Sequence, residues 1–153
     1  MITHAVLAVA LTATLVPAGA ALGPRLFRNR DSGLCLTWGT QVSTGRTIAA
    51  TGSCDPSSRY TLWKRTARSQ LANRTTCLSS PTGPQDERRV LVRRCGRADR
   101  LVFTRVRRGM DGEHLRISWK NGQCLAGNYK GHVYPGPCST IAAEWVVVRW
   151  STD

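Results

Sequence analysis

Apolar and β-branched residues fall in short runs along this chain, and no helical stripe is sustained after residue 20. The first four runs lie at 26–27, 34–37, 47–51 and 61–63. Four more follow at 70–72, 77–78, 90–92 and 101–106, and a last four at 115–118, 123–126, 133–134 and 145–148. Gly, Pro, Asp, Asn and Ser bound them, so each predicts a strand. Twelve strands in three sets of four, at about 40 residues per set, predict an all-β chain built on a threefold repeat. The first twenty residues differ. MITHAVLAVALTATLVPAGA carries no Lys, Arg, Asp or Glu, and its apolar stretch ends in Pro17 and small residues. That pattern predicts a signal-peptide helix over 1–20, with an uncleaved signal anchor as the other reading.

The cysteines reinforce the repeat. Cys35, Cys77 and Cys124 recur after 42 and 47 residues, and Cys54, Cys95 and Cys138 after 41 and 43. An aromatic or its equivalent, Trp63, Phe103 and Trp145, follows the second cysteine by 9, 8 and 7 residues. A β-trefoil over 21–153 fits, with repeats at about 25–66, 67–109 and 110–153. A set of four strands also describes a propeller blade, but three blades fall short of the usual ring of about four to eight. If each repeat closes on itself, the disulfides are Cys35–Cys54, Cys77–Cys95 and Cys124–Cys138. The three aromatics are then expected to point into a shared core. Six cysteines behind an export signal place the chain outside the cell, secreted, in an oxidising compartment. A zinc site would need a close cysteine pair that the sequence does not contain, so neither metal nor cofactor is expected.

Charge narrows the partners. The chain holds 22 basic residues, 3 of them Lys, against 9 acidic ones, for a net charge of +13. Arginine forks pair bidentately with sulfate, phosphate and carboxylate, so anionic partners are favoured. The densest stretch, 88–108, has nine arginines against Asp99. Arg93, Arg94, Arg97, Arg105 and Arg107 are its candidate anion patch. Strand alternation puts Arg105 and Arg107 on one face, and Arg93 and Arg94 on opposite faces. Repeat three offers Asn128, Tyr129, Lys130, His132 and Tyr134 between its cysteines, a set able to stack and orient a sugar, or to serve as ordinary turn chemistry. Asn73-Arg74-Thr75 matches an N-glycosylation sequon, predicting an exposed Asn73. No nucleophile–base pair suggests itself, and acids such as Asp111 and Glu113 are read as solvated turn residues, so no enzyme is expected.

The segments LFRNRDSGLCL, LWKR, TTCLSS and AEWVVVRW resemble the ricin B-type lectin β-trefoil, and more closely the cysteine-rich domain of mannose-receptor-like proteins. The resemblance covers residues from about Leu26 to Trp150 and implies sugar binding in shallow pockets, one per repeat, without catalysis. The Gln of the family's Gln-x-Trp is replaced by Thr61, Leu101 and Ala143. Its sugar-binding aspartate is replaced by Thr37, Ser79 and Ala126. The stacking tryptophan that the mannose-receptor domain uses corresponds to Ala142 in repeat three, to Arg100 in repeat two and to Tyr60 in repeat one. The sequence therefore predicts a secreted lectin-like module for anionic or sulfated glycans, including those of cell-surface glycoproteins, with nucleic acid not favoured. Two alternatives stay open: a polyanion-binding or protein-interaction trefoil without sugar pockets, acting as a secreted interaction or defence factor, and the binding half of a larger toxin or enzyme.

Overall fold

The computed structural model describes residues 23–80 and 89–148. The predicted leader at 1–20, Asp86, Glu87, Arg88 and Trp150 lie outside them. The twelve strands are β1 (Phe27–Asn29), β2 (Cys35–Thr40), β3 (Thr47–Gly52), β4 (Lys64–Arg65), β5 (Leu71–Asn73) and β6 (Thr76–Ser79), followed by β7 (Leu91–Arg94), β8 (Val102–Arg108), β9 (Gly112–Ser118), β10 (Cys124–Gly127), β11 (Val133–Gly136) and β12 (Glu144–Val148). All pairings among them are antiparallel, and the described helical pieces are single 3₁₀ turns at Cys95–Arg97 and Ile141–Ala143.

Three hairpins, β2–β3, β6–β7 and β10–β11, meet one another. Ile48 pairs with Leu91, Ala50 bridges to His132, and Val90 N–H donates to the Val133 carbonyl. The other six strands pair end to end. β1 pairs β12, β12 pairs β9, β9 pairs β8 and β4 pairs β5. Arg25 bridges to Trp63 at the start of β1, and Leu101 N–H donates to Ser69 O between β8 and β5. The three disulfides join Cys35 to Cys54, Cys77 to Cys95 and Cys124 to Cys138. These are the pairings expected if each repeat closes on itself.

The core has a recurring anatomy. The leucine after each first cysteine, Leu36, Leu78 and Leu125, is fully buried. Trp63 and Trp145 are fully buried too, and each indole N–H donates to the carbonyl of its own repeat's leucine, 2.9 Å to Leu36 and 2.8 Å to Leu125. Phe103 departs from the expected pattern. It has no N–H to anchor and is only partly buried, with Leu101 taking core space two residues earlier and the Arg65 guanidinium 4.6 Å over its ring. A second device recurs at the end of a repeat's first strand. Asn29 Nδ2 donates to Ala142 O, and Asn73 Nδ2 donates to Arg59 O and Leu62 O. Each asparagine thus grips the loop ahead of a core tryptophan, Asn29 the one before Trp145 and Asn73 the one before Trp63.

Candidate functional site

Asn73 organises a corner of the first repeat. Its side chain is buried at 2% exposure, and besides gripping the 59–62 loop it accepts a 3.0 Å hydrogen bond from Trp38 Nε1. One carboxamide therefore fixes an indole on β2 and the backbone that carries Tyr60. The loop is stiffened further: Thr61 Oγ1 donates to Asp55 O and Ser58 O. Hydrogen bonds from the Ser57 hydroxyl and backbone N–H hold the Asp55 carboxyl below its usual range. Trp38 and Tyr60 meet edge to face, with centroids 5.1 Å apart and planes at 86°. Arg59 lies 5.0 Å over the Tyr60 ring and donates a 2.8 Å hydrogen bond to its hydroxyl. Trp38 is half-buried and Tyr60 is 37% exposed. Preset aromatic faces beside a guanidinium suit a ligand with an apolar ring face and an anionic substituent.

The same geometry corrects the glycosylation reading of Asn73. The Nδ2 atom that a glycan would occupy is buried and donates to two carbonyls, so the folded chain does not present it as an acceptor site.

The third-repeat residues do not converge. Asn128 Oδ1 accepts from Lys130 N and His132 N, closing the turn between β10 and β11. Tyr134 is half-buried against Cys124, Ala126 and Ala143. Tyr129 stands 76% exposed with Lys130 Nζ 6.0 Å from its ring. His132 lies 3.2 Å from Arg89, and burial together with the Arg89 and Lys130 charges lowers its pKa. Turn chemistry accounts for Asn128 and packing for Tyr134, leaving Tyr129, Lys130 and His132 exposed on the surface.

The arginine stretch is divided as well. Arg93 is half-buried opposite Cys77, while Arg94 opposite Thr76 and Arg97 in its 3₁₀ turn are exposed. On β8 a bulge at Val106 shifts the register, so Arg105 sits opposite Leu115 and Arg107 opposite His114. Opposed residues share a face and neighbouring ones on β9 do not, so the two arginines point to opposite sides of the sheet. The expectation that they share a face fails here. Arg105 pairs with Glu113 at 2.5 Å, and Arg107 lies 3.8 Å from Glu144.

Two polar clusters went unread in the sequence. His114, at 2% exposure, bridges Glu144 at 2.8 Å and Asp111 at 3.0 Å through its two ring nitrogens. Arg30 reaches Glu144 and Arg28 reaches Asp111, at 2.8 and 2.9 Å. Burial alone would raise the Glu144 pKa, but hydrogen bonds and charges from His114 and Arg30 outweigh it and hold the carboxyl low. Asp111 is held low chiefly by its hydrogen bond to His114. Asp99 accepts from Ser79 Oγ, Ser80 N and Ser80 Oγ, which overcome its desolvation and lower its pKa. The apolar run at 34–37 ends one residue before Trp38, so the run does not single it out. The only signal was an aromatic at the third position after Cys35, where the other repeats have Ser80 and Gly127.

Among the described residues no cluster of three or more His, Cys, Asp or Glu could hold a metal, and no helix is long and apolar enough to cross a membrane. No family model and no curated protein matches the chain. Thirteen chains of solved structures do. One is a crystal structure of GalNAc-T7 with UDP, GalNAc and Mn²⁺, with a TM-score of 0.61 and 15% identity over 83% of this chain. The match spans 22% of that protein, and at this identity the likeness is one of fold.

Proposed function

We propose that this chain is a non-catalytic carbohydrate-binding module of the ricin B-type β-trefoil class, exported from the cell, that recognises anionic and above all sulfated glycans such as those of cell-surface glycoproteins. The trefoil reading is supported by strand contacts that return to their start. β1, β12, β9, β8, β5 and β4 follow one another by pairing or single hydrogen bonds, and Arg25 to Trp63 leads back to β1. The three mutually bonded hairpins would cap such a barrel. The fold likeness to GalNAc-T7, a structure holding GalNAc, favours sugars as the ligand class.

The observation that carries the reading is the corner made by Trp38, Tyr60 and Arg59 on Asn73. The aromatic pair takes the apolar face of a sugar ring, and the guanidinium pairs with a sulfate or carboxylate on it. A second reading, a polyanion-binding or protein-docking trefoil, is favoured by the exposed Arg94 and Arg97 and the net charge of +13. An array of sulfated and neutral glycans, run over a salt series, separates the two. On the lectin reading a few sulfated glycans bind selectively and hold at high salt. Tyr60→Ala then lowers their binding at least tenfold, and Arg59→Ala removes the preference for sulfated over neutral forms. Binding spread over every polyanion, lost with salt and removed by Arg94→Ala with Arg97→Ala, would establish the second reading instead.

A further inference from the structure

A cavity of about 1000 Å³ opens among β1, β4, β8, β9 and β12. It is separate in residues from the Trp38–Tyr60 corner, and nothing in the sugar reading uses it. Its walls are apolar: Phe27, Trp63, Phe103, Leu115 and Val147. Its polar lining is cationic, with Arg25, Lys64, Arg65 and Arg105 against the single acid Glu113. Glu113 is already matched by Arg105. Arg65 is held over Phe103 and donates to Ser69 Oγ at 3.3 Å, and among the described residues no carboxylate pairs with it. Among the described residues no acidic partner is found for Arg25 or Lys64. Three positive charges are therefore left over around an apolar hollow whose size suits a small molecule.

A neutral apolar ligand would leave those charges uncompensated, and a small inorganic anion would leave the aromatic walls uncovered. From this combination we infer that the cavity binds an anionic amphiphile, an apolar alkyl or aryl body buried against Phe27, Phe103 and Leu115 with a carboxylate, sulfate or sulfonate head at Lys64 and Arg65. Arg105 precedes the β8 bulge and lines the cavity, where it neutralises Glu113 and leaves the remaining rim charge cationic.

The test uses the full chain and 1-anilinonaphthalene-8-sulfonate, whose fluorescence rises in apolar surroundings. Saturable one-to-one binding is expected, with displacement by dodecanoate at concentrations at least tenfold below those needed for dodecanol, and none by inorganic sulfate. Lys64→Glu with Arg65→Glu should weaken binding at least tenfold, and so should Leu115→Trp, which fills the hollow. The charge-matched control, Arg100→Glu with Lys120→Glu, should change it less than twofold. Each variant is first shown to melt cooperatively. Equal displacement by dodecanol, indifference to the cavity variants, or no saturable binding by a cooperatively folded chain would overturn the proposal. Binding that emerges only once residues 149–153 are deleted would overturn it as well, since the chain's own end would then be the occupant.

Discussion

Asn73 shows how much one side chain can decide. Its carboxamide donates twice and accepts once inside the protein, and removing it strands two carbonyls and the Trp38 N–H together. Buried polar groups left without partners are costly, so Asn73→Ala is expected to lower stability by about 2–3 kcal/mol in urea unfolding at pH 7. Asn73→Asp is the sharper comparison. It preserves shape and the acceptor for Trp38 but sets a carboxylate against the Arg59 and Leu62 carbonyls, so it should be less stable than the alanine variant. An aspartate variant as stable as the parent would show that this hub does not hold the corner. The sequence offered Asn73 only as a sequon, which predicts the reverse of what is found. A tripeptide motif says nothing of side-chain direction, and the run at 70–72 stops one residue short of Asn73, the last residue of the strand that carries it inward. Tyr60 was legible because it stands three residues before Trp63, and Arg59 is its neighbour in sequence, but Trp38 is fixed beside them by a contact to Asn73 across 35 residues that no local pattern encodes.

At the scale of elements, the short runs and their turn residues marked nearly every strand, since a period of two and its breakers are local properties. The exceptions are instructive. Val106 reads as an ordinary strand residue, yet the bulge there reverses the facing of everything after it and sends Arg107 toward Glu144 instead of leaving it beside Arg105. Gly112, at φ +146, begins β9 where a Cβ would stand 2.0 Å from the Val147 carbonyl oxygen, so Gly112→Ala should force β9 and β12 apart. These strands also carry the His114 network. Glu144 and Asp111 titrate below their ordinary values of 4.5 and 3.8 in the folded chain. The unfolded chain therefore binds these protons more readily, and their stabilising contribution is complete above those ordinary values and lost as pH falls through the lower folded ones. Thermal melts should be level in this respect from pH 7 to about 5 and drop below about 4.5. His114→Gln removes a shared cause of both shifts and should flatten the acid limb as well as lower the melting temperature at pH 7. An unchanged acid limb in that variant would assign the pH dependence to other carboxylates, Asp99 first among them.

Across the whole molecule, every disulfide closes a short loop of 14 to 19 residues, so the joints between segments far apart in sequence rest on strand pairing, ion pairs and the asparagine grips. The joints are unequal. β8 and β9 share six paired positions and β1 and β12 share three, whereas β4 and β5 share two. Asn29 and the Arg30–Glu144 pair reinforce the β1–β12 side, while the side-chain hydrogen bonds described from β5 to the loop that leads into β4 come from Asn73. Local opening follows the density of such contacts, so amides at β4 and β5 should exchange with solvent at least ten times faster than those of Leu115 and Val146 in β9 and β12. Loops of 14 to 19 residues closed by sulfur contribute about 3 kcal/mol each in the chain-entropy view. Replacing Cys77 and Cys95 by serine should thus bring global unfolding closer by about that amount while leaving the order of the joints unchanged. Should the serine variant instead equalise exchange across β4, β9 and β12, the cross-links would be what ranks the joints, and the pairing between repeats would be secondary.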